Sequence, residues 1–188
     1  MLKKALRQQL RERLAAMSPQ EAHARSSIAC RLLVQEPEFA KADVLMIYLS
    51  TVQEVDTTQI ALAAWSLSKR VVAPRVSWEQ RRMIPIEISS LTSDVREGQM
   101  GIREPLEGMP VPVGEIDLVL VPGLGFDARG NRLGRGRGFY DRFLAHRDFR
   151  GVACGLAFES QVVEDVPHDE RDQRVRMLVT DTTVRRFS

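Results

Sequence analysis

A loop of alternating glycine and arginine is the part of this sequence whose residue types and spacing are best suited to chemistry. Gly134, Gly136 and Gly138 alternate with Arg135 and Arg137. Glycine allows backbone conformations that are closed to other residues, so the chain can wrap a ligand while the guanidinium groups project around it. Amide groups at the start of a following helix would add partial positive charge. The pattern predicts an anion site, with phosphate as the preferred ligand, over a merely flexible turn.

The sequence on either side supplies the elements that would position this loop. Residues 117–121 form a short apolar run that ends at Pro122, which predicts a strand. Residues 139–144 have the apolar spacing of a helix, with Phe139, Phe143 and Leu144 facing inward. We therefore expect the order strand, loop, helix.

Two common nucleotide-binding motifs do not explain the loop. Residues 123–128 have the glycine spacing of a dinucleotide fingerprint, but Arg129-Gly130-Asn131 is turn material where the phosphate-binding helix should continue. A Walker-type loop is excluded because the chain contains no Gly-Lys-Ser or Gly-Lys-Thr. The loop is therefore a different phosphate-binding device.

Composition limits the class of protein. The 188 residues favour one domain, residues 1–188, with a real core. The net charge is only +2, yet residues 127–142 hold five arginines against two aspartates, which favours a compact anion site over a nucleic-acid track. No apolar run is long enough to span a membrane. Cys30 and Cys154 lie far apart in apolar stretches, which predicts buried free thiols in a reducing cytoplasm.

Helices and strands alternate along the chain. Leu2, Leu6, Leu10 and Leu14 form one stripe of a first helix, and a capping box at residues 18–21 opens a second helix that should stop before Pro37. The order of elements predicts an α/β fold: a single three-layer α/β/α domain with a largely parallel central sheet and an N-terminal helical pair. Strands are expected at residues 44–49, 71–73, 83–88, 118–121, 152–157 and 175–179, with an edge position for 83–88 and an ordered loop at 98–112.

Polar residues should meet beyond the carboxyl ends of the parallel strands. Glu54, Arg75 and the loop at residues 123–138 all follow such strands. Asp56 has a local role as the cap of the next helix, so Glu54 is the better candidate for contact with a ligand.

Asp141 has two possible roles. It lies in the first turn of the predicted helix, where it could simply complement the helix dipole. Beside a phosphate it could instead bind Mg²⁺, which prefers one or two carboxylates together with phosphate oxygens and water. Asp172 is a possible second ligand for such an ion.

Five motifs in order show that the sequence resembles the 5-formyltetrahydrofolate cyclo-ligase family over essentially its whole length. The strongest is PGLGFDARGNRLGRGRGFYDRFL, which contains the loop described above. The others are Lys3-x-x-Leu6-Arg7, Tyr48-Leu49-Ser50 followed by Glu54-Val55-Asp56-Thr57, Gly101-Ile102-Arg103-Glu104-Pro105, and Gly155-Leu156-Ala157-Phe158 with Gln161.

The resemblance implies a reaction and its ligands. The family uses ATP to convert 5-formyltetrahydrofolate into 5,10-methenyltetrahydrofolate, with release of ADP and phosphate. It implies ATP and Mg²⁺ as cofactors, a small-molecule folate substrate, and a cytoplasmic monomer that binds neither nucleic acid nor a membrane. Many relatives carry histidine before the second metal-binding aspartate, where this chain has Arg171.

The resemblance also implies roles for individual residues. It implies catalytic roles for Arg135, Arg137 and Tyr140. It implies that Leu49, Glu54 and Tyr140 contact the folate, and that Asp141 and Asp172 bind Mg²⁺. The residues expected to bind ATP are Lys3, Lys4, Arg7, Arg132, Gly134, Arg135, Gly136, Arg137, Gly138, Phe139 and Tyr140.

Two other functions are compatible with an arginine-glycine loop. A phosphate-ligand enzyme of a related fold, of the sugar-phosphate isomerase or acyl-CoA transferase type, would bind phosphate without a nucleotide. An RNA-binding protein would use the loop for polyanion contacts, which the near-neutral net charge disfavours.

Overall fold

The structure is a computed structural model that describes residues 2–98 and 101–187. The helices are α1 (Lys3–Ala15), α2 (Pro19–Val34), α3 (Pro37–Lys41), α4 (Thr58–Ser66) and α5 (Phe139–Leu144). The strands are β1 (Val44–Met46), β2 (Arg70–Ser77), β3 (Arg82–Ile88), β4 (Val95–Glu97), β5 (Arg103–Pro105), β6 (Leu118–Val121), β7 (Gly125–Phe126), β8 (Arg132–Leu133), β9 (Val152–Leu156), β10 (Met177–Val179) and β11 (Val184–Arg186).

Seven of the strands form one sheet in the order β11-β10-β9-β6-β1-β2-β3. The five inner strands are parallel to one another, and both edge strands, β3 and β11, run antiparallel to them. The predicted largely parallel α/β fold is therefore confirmed, as is the edge position of residues 83–88. The carboxyl ends of β1, β2 and β6 meet at one side of the sheet, where ligands collect in this class of fold.

Local sequence signals explain the helix ends. The Ser18 side chain accepts the Glu21 amide at 3.2 Å, Pro19 opens α2, and the helix ends at Val34, before Pro37. The N-cap residue of α4 is Thr57 and not Asp56 as predicted, although the Asp56 carboxylate accepts the amide of Thr58 in the first turn at 3.0 Å.

The two faces of the sheet are covered differently. Helices α1 to α4 pack on one face, where Leu6, Leu10 and Leu14 join the larger core cluster. Helix α5 and the small hairpin β7–β8 cover the other, where Phe126 and Phe143 are buried. Leu2 does not belong to the apolar stripe as predicted, because it precedes the first turn of α1 and is 81% exposed.

Several local predictions require correction. Strand β1 comprises only residues 44–46 of the predicted strand 44–49, although the Ile47 amide still donates to the Val72 carbonyl and the chain stays buried as far as Leu49. The predicted loop 98–112 contains β5, which pairs with β4, while residues 99 and 100 lie outside the described residues. Arg75 lies inside β2, which extends to Ser77, and it pairs with the exposed Glu107.

Cys30 and Cys154 are both buried and free, as predicted. Burial raises the pKa of the Cys30 thiol to about 12, so it carries no charge near neutrality. Within the described part of the chain, no helix has the length and apolar character needed to cross a membrane.

Candidate active site

A cavity of about 780 Å³ opens at the carboxyl ends of β1, β2 and β6. Its walls come from α1, the segment after β1, the β2–β3 and β4–β5 hairpins, and residues 132–141. All the predicted site residues except Lys4 line it, namely Lys3, Arg7, Leu49, Glu54, Arg132, Gly134, Arg135, Gly136, Arg137, Gly138, Phe139, Tyr140, Asp141 and Asp172. Lys4 is exposed on the outer side of α1, and Arg75 is likewise outside the lining.

The glycine-arginine loop needs glycine for two different reasons. Gly136 and Gly138 have φ angles of +96° and +66°, a region that other residues rarely occupy. Gly134 must lack a side chain, because a Cβ atom there would lie only 2.6 Å from Nη1 of Arg132. The loop can therefore wrap around a ligand and still pack closely on the buried arginine.

Two buried hydrogen-bond donors in the cavity have no partner within the described residues. They are Nε of Arg132 and the hydroxyl of Tyr140. The Arg132 side chain is only 4% exposed, Nη2 donates to Asp141 at 2.8 Å, and the guanidinium carbon lies 5.8 Å from the centre of the Tyr140 ring. Because buried polar groups are nearly always paired in folded proteins, these donors point to a ligand oxygen.

Burial raises the pKa of Tyr140 well above its ordinary value, and the nearby Glu54 carboxylate raises it further. The same two causes raise the pKa of Tyr48. Both hydroxyls therefore stay protonated near neutrality. Tyr48 donates to the Val55 carbonyl, whereas Tyr140 remains available to a ligand in the cavity.

Glu54 is held by the turn that follows β1. One carboxylate oxygen accepts the backbone amide and the hydroxyl of Thr51 at 2.9 and 3.1 Å. The other accepts Nη2 of Arg135 at 3.2 Å. This ion pair joins the segment after β1 to the glycine-arginine loop.

Helix α1 contributes cations from the opposite wall. Nε of Arg7 donates to the Gly134 carbonyl at 2.9 Å, which ties the helix to the loop. Nζ of Lys3 lies 2.6 Å from Asp172 and 3.0 Å from Asp169. These carboxylates, Asp172 above all, raise the pKa of Lys3 despite its partial burial, so the amine is charged at neutral pH.

The two predicted metal ligands each have one oxygen engaged. Oδ1 of Asp141 accepts Arg132 and the Gln173 amide, and Oδ2 of Asp172 accepts Lys3 and the Asp169 amide. The remaining oxygen of each accepts no hydrogen bond from a described residue, and no group of three or more metal-ligating side chains occurs in that part of the chain. An ion here would therefore need phosphate oxygens and water as further ligands, which suits Mg²⁺.

The cavity also contains residues that the sequence analysis did not assign. Trp78, at the end of β2–β3, lies edge-on to Phe139 with ring centres 5.3 Å apart, and the Arg137 guanidinium lies 5.4 Å from the indole centre. No motif marks Trp78. Arg103 and Glu104 come from β5, and the Gly101–Pro105 motif marks them without indicating a role.

Comparisons with known proteins agree on one family. The profile described as the 5-formyltetrahydrofolate cyclo-ligase family matches residues 1–181. The 5-formyltetrahydrofolate cyclo-ligase of Mus musculus is 31% identical over 183 residues, which cover 92% of this chain and 90% of that protein. That of Escherichia coli K12 is 28% identical over 185 residues, covering 93% and 98%.

Solved structures lead to the same group. The NMR structure of Aquifex aeolicus 5,10-methenyltetrahydrofolate synthetase superposes with a TM-score of 0.86 at 33% identity, covering 99% of this chain and 93% of that one. A 5,10-methenyltetrahydrofolate synthetase from Mycoplasma pneumoniae has a TM-score of 0.79 at 23% identity, covers 96% and 99%, and supports the fold alone.

Proposed function

Because the chain belongs to the 5-formyltetrahydrofolate cyclo-ligase family, we propose a site map for the reaction of that family. The protein is a 5-formyltetrahydrofolate cyclo-ligase, which uses ATP to convert 5-formyltetrahydrofolate into 5,10-methenyltetrahydrofolate and releases ADP and phosphate. The match of the family profile to residues 1–181 carries this conclusion. No finding supports an isomerase, an acyl-CoA transferase or an RNA-binding protein.

The chemistry requires two ligands side by side. A formamide oxygen is a poor leaving group, so it first attacks the γ-phosphorus of ATP, and the bond to ADP breaks. N10 of the folate then attacks the activated formyl carbon and loses its proton, and the C–O bond breaks to release phosphate. Positioning and charge neutralisation are the main contributions of the protein to phosphoryl transfer.

The triphosphate end of the proposed map is the loop Gly134–Gly138. Arg135 and Arg137 supply guanidinium groups around the loop, and Lys3 and Arg7 approach it from α1. Their positive charge opposes the negative charge of the phosphates. In this map Lys4 does not contact ATP and only adds to the positive potential around the site, because it is exposed and outside the cavity lining.

The folate end is the wall formed by Leu49, Glu54 and Tyr140. A carboxylate that accepts hydrogen bonds suits the N–H groups of a pterin ring, and Leu49 offers an apolar surface. The unpaired donors Arg132 Nε and Tyr140 Oη are assigned to an oxygen at the junction of the two ligands. Since Arg135 bonds to Glu54, the two halves of the map touch directly.

Mg²⁺ fits the donor set of Asp141 and Asp172 when it enters with the phosphates of ATP. When bound, the ion neutralises phosphate charge. Each carboxylate already pairs with one cation, Asp141 with Arg132 and Asp172 with Lys3, so the ion would bind through the second oxygen of each. Asp141→Asn should raise the Mg²⁺ concentration for half-maximal rate about tenfold or more, and an unchanged Mg²⁺ dependence would remove Asp141 from the map.

We also propose that the protein acts in the cytoplasm as a monomer of one domain, without nucleic-acid or membrane partners. Its low net charge and two buried free thiols support this assignment. Sedimentation at micromolar concentration tests the monomer directly.

An assay of product absorbance tests the function. Purified protein with ATP, Mg²⁺ and 5-formyltetrahydrofolate should form the absorbing methenyl product together with one ADP per turnover. The same mixture without ATP should form none. Absence of product with any 5-formyl folate would refute the assignment, and ATP-independent turnover would favour a phosphate-ligand enzyme of another class.

A further inference from the structure

One arginine in the cavity wall has no role in the site map above. Arg103, on β5, is half-buried, and its Nη2 atom lies 3.5 Å from the Ser50 carbonyl. That weak contact is its only hydrogen bond within the described residues, and no carboxylate there forms an ion pair with it. Most of its guanidinium donors therefore remain available to a ligand.

The position of Arg103 is at the folate end of the cavity. Ser50 lies between Leu49 and Glu54, which we assign to the folate. Val52 and Ile102 also line the cavity here and are 95% and 42% exposed, so this wall forms its mouth. A substrate whose pterin ring contacts Glu54 would extend its other end toward this mouth.

Most of the other cations of the cavity are engaged elsewhere. Lys3, Arg132 and Arg135 each pair with a carboxylate, and Arg7 donates to the phosphate loop. Arg137 lies over an indole ring. Arg11 lines the cavity from α1, one helical turn after Arg7 and so on the side of the helix that faces the cavity.

The nearby carboxylates do not cancel the charge of Arg103. Glu104 is the next residue and lines the cavity, but Arg96 donates to it at 3.1 and 3.2 Å from the partner strand β4. Glu54 is likewise neutralised by Arg135. Glu97 lies directly opposite Arg103 in the β4–β5 ladder, but the two side chains form no ion pair, so the guanidinium group of Arg103 stays available at the cavity mouth.

Folates carry a charged group that such an arginine would recognise. Beyond the pterin and p-aminobenzoyl rings lies a glutamate with two carboxylates, which are ionised at neutral pH. A guanidinium group binds a carboxylate through two parallel charge-assisted hydrogen bonds. We propose that Arg103 binds a carboxylate of the glutamate tail and so sets the preference of the enzyme for tailed folates. This inference rests on the proposed function.

The test compares two substrates that differ only in the tail. The KM values for 5-formyltetrahydrofolate and for 5-formyltetrahydropteroate, which lacks the glutamate, are measured with ATP and Mg²⁺ by methenyl absorbance. Arg103→Gln should raise the KM for the tailed substrate by about 10-fold or more, the value of a hydrogen bond to a charged group. The KM values for the tail-less substrate and for ATP should stay within about twofold of the wild type.

Two further variants separate recognition from a structural effect. Arg82→Gln removes an exposed cation of the neighbouring β2–β3 hairpin that lies outside the cavity lining, so the ratio of the two KM values should not change. Arg103→Lys keeps the charge without the planar fork, and should retain an intermediate ratio. The inference would be overturned if Arg103→Gln left the ratio of the two KM values unchanged, or if it raised only the KM for ATP.

The proposed function is judged in the same experiment by the wild-type protein. If wild type forms no methenyl product from either substrate, the function itself is refuted before any variant is compared. If wild type is active and Arg103→Gln retains the wild-type preference, only the inference about the tail fails.

Discussion

Replacing the buried carboxylate of Asp127 by an amide should destabilise the protein strongly. Asp127 is fully buried in the turn between β7 and β8. Oδ1 accepts the backbone amides of Arg129 and Asn131 at 2.9 and 3.0 Å. Oδ2 accepts the Asn131 side-chain amide and the Val166 backbone amide at 2.8 and 3.1 Å. The carboxylate thus accepts four hydrogen bonds from the protein itself.

The hydrogen bonds set the size of the effect. In Asp127→Asn one oxygen becomes an NH₂ group, so in either orientation two of the four donors lose their acceptor. Each hydrogen bond to a charged group contributes about 1.5–3 kcal/mol, so we expect a loss of roughly 3–6 kcal/mol in the free energy of unfolding. That is a large fraction of the roughly 5–15 kcal/mol typical of a domain. Because β8 begins with Arg132, ATP binding should weaken as well.

Urea unfolding followed by circular dichroism measures this loss. Asp94→Asn is the matched control, because its carboxylate also accepts several amide and hydroxyl hydrogen bonds but lies at the surface, where water can replace them. The control should lose about 1 kcal/mol or less. Equal unfolding midpoints for wild type and Asp127→Asn would refute the reasoning.

The same pair of proteins should differ in their response to acid. Burial alone would raise the pKa of Asp127, but the hydrogen bonds from Asn131, Val166 and Arg129 outweigh it and lower the pKa below the usual value. A carboxyl group whose pKa is lowered by folding stabilises the protein above its unfolded pKa of about 3.9, and this contribution is lost as the pH falls through the folded pKa. The difference in free energy of unfolding between wild type and Asp127→Asn should therefore become smaller below about pH 4.

Three further predictions address the site map. Glu54→Gln should raise the KM for folate at least tenfold, because the charged acceptor for the folate is lost. The KM for ATP should stay within about threefold, because the substitution releases Arg135 toward the phosphates. Steady-state kinetics with each substrate varied in turn measures both values, and an equal rise in the two would contradict this prediction. Trp65→Phe leaves Trp78 as the only tryptophan of the sequence. The fluorescence of Trp78 should change when ATP is added, because this side chain packs against Arg137 of the loop. A constant fluorescence signal at saturating ATP would argue against that location. Gly136→Ala should lower the free energy of unfolding by about 1–2 kcal/mol, because the φ angle at this position is +96°. It should also lower kcat/KM for ATP at least tenfold. A variant with wild-type kinetics and melting temperature would contradict the role of the loop.

Sequence patterns predicted the long and strongly patterned elements of the fold. The apolar stripe of α1, the Ser18 cap of α2 and the apolar strand at 118–121 are local signals that packing does not override. The two-residue strands β7 and β8 were missed, because hairpins this short have no detectable period. Strand β11 was missed too, since its pairing with β10 depends on a contact that the short segment Val184–Arg186 does not indicate by itself.

The candidate site was predictable where a motif concentrates its residues in one loop. Gly134 to Asp141 line the cavity together because they are neighbours along the chain. Trp78 was missed because its role depends on how far the β2–β3 hairpin extends, which no local pattern reveals. Sequence position alone also could not distinguish Lys3 from Lys4, since only the helix rotation decides which of them faces the cavity.

The contact between Lys3 and Asp172 has a consequence for the biogenesis of the enzyme. The two residues are 169 positions apart, yet the contact closes one wall of the cavity. During synthesis, the first helix leaves the ribosome long before its partner carboxylate exists. A polypeptide interrupted before residue 169 would therefore present Lys3 without either of its carboxylate partners, even though most of the central sheet had already been translated.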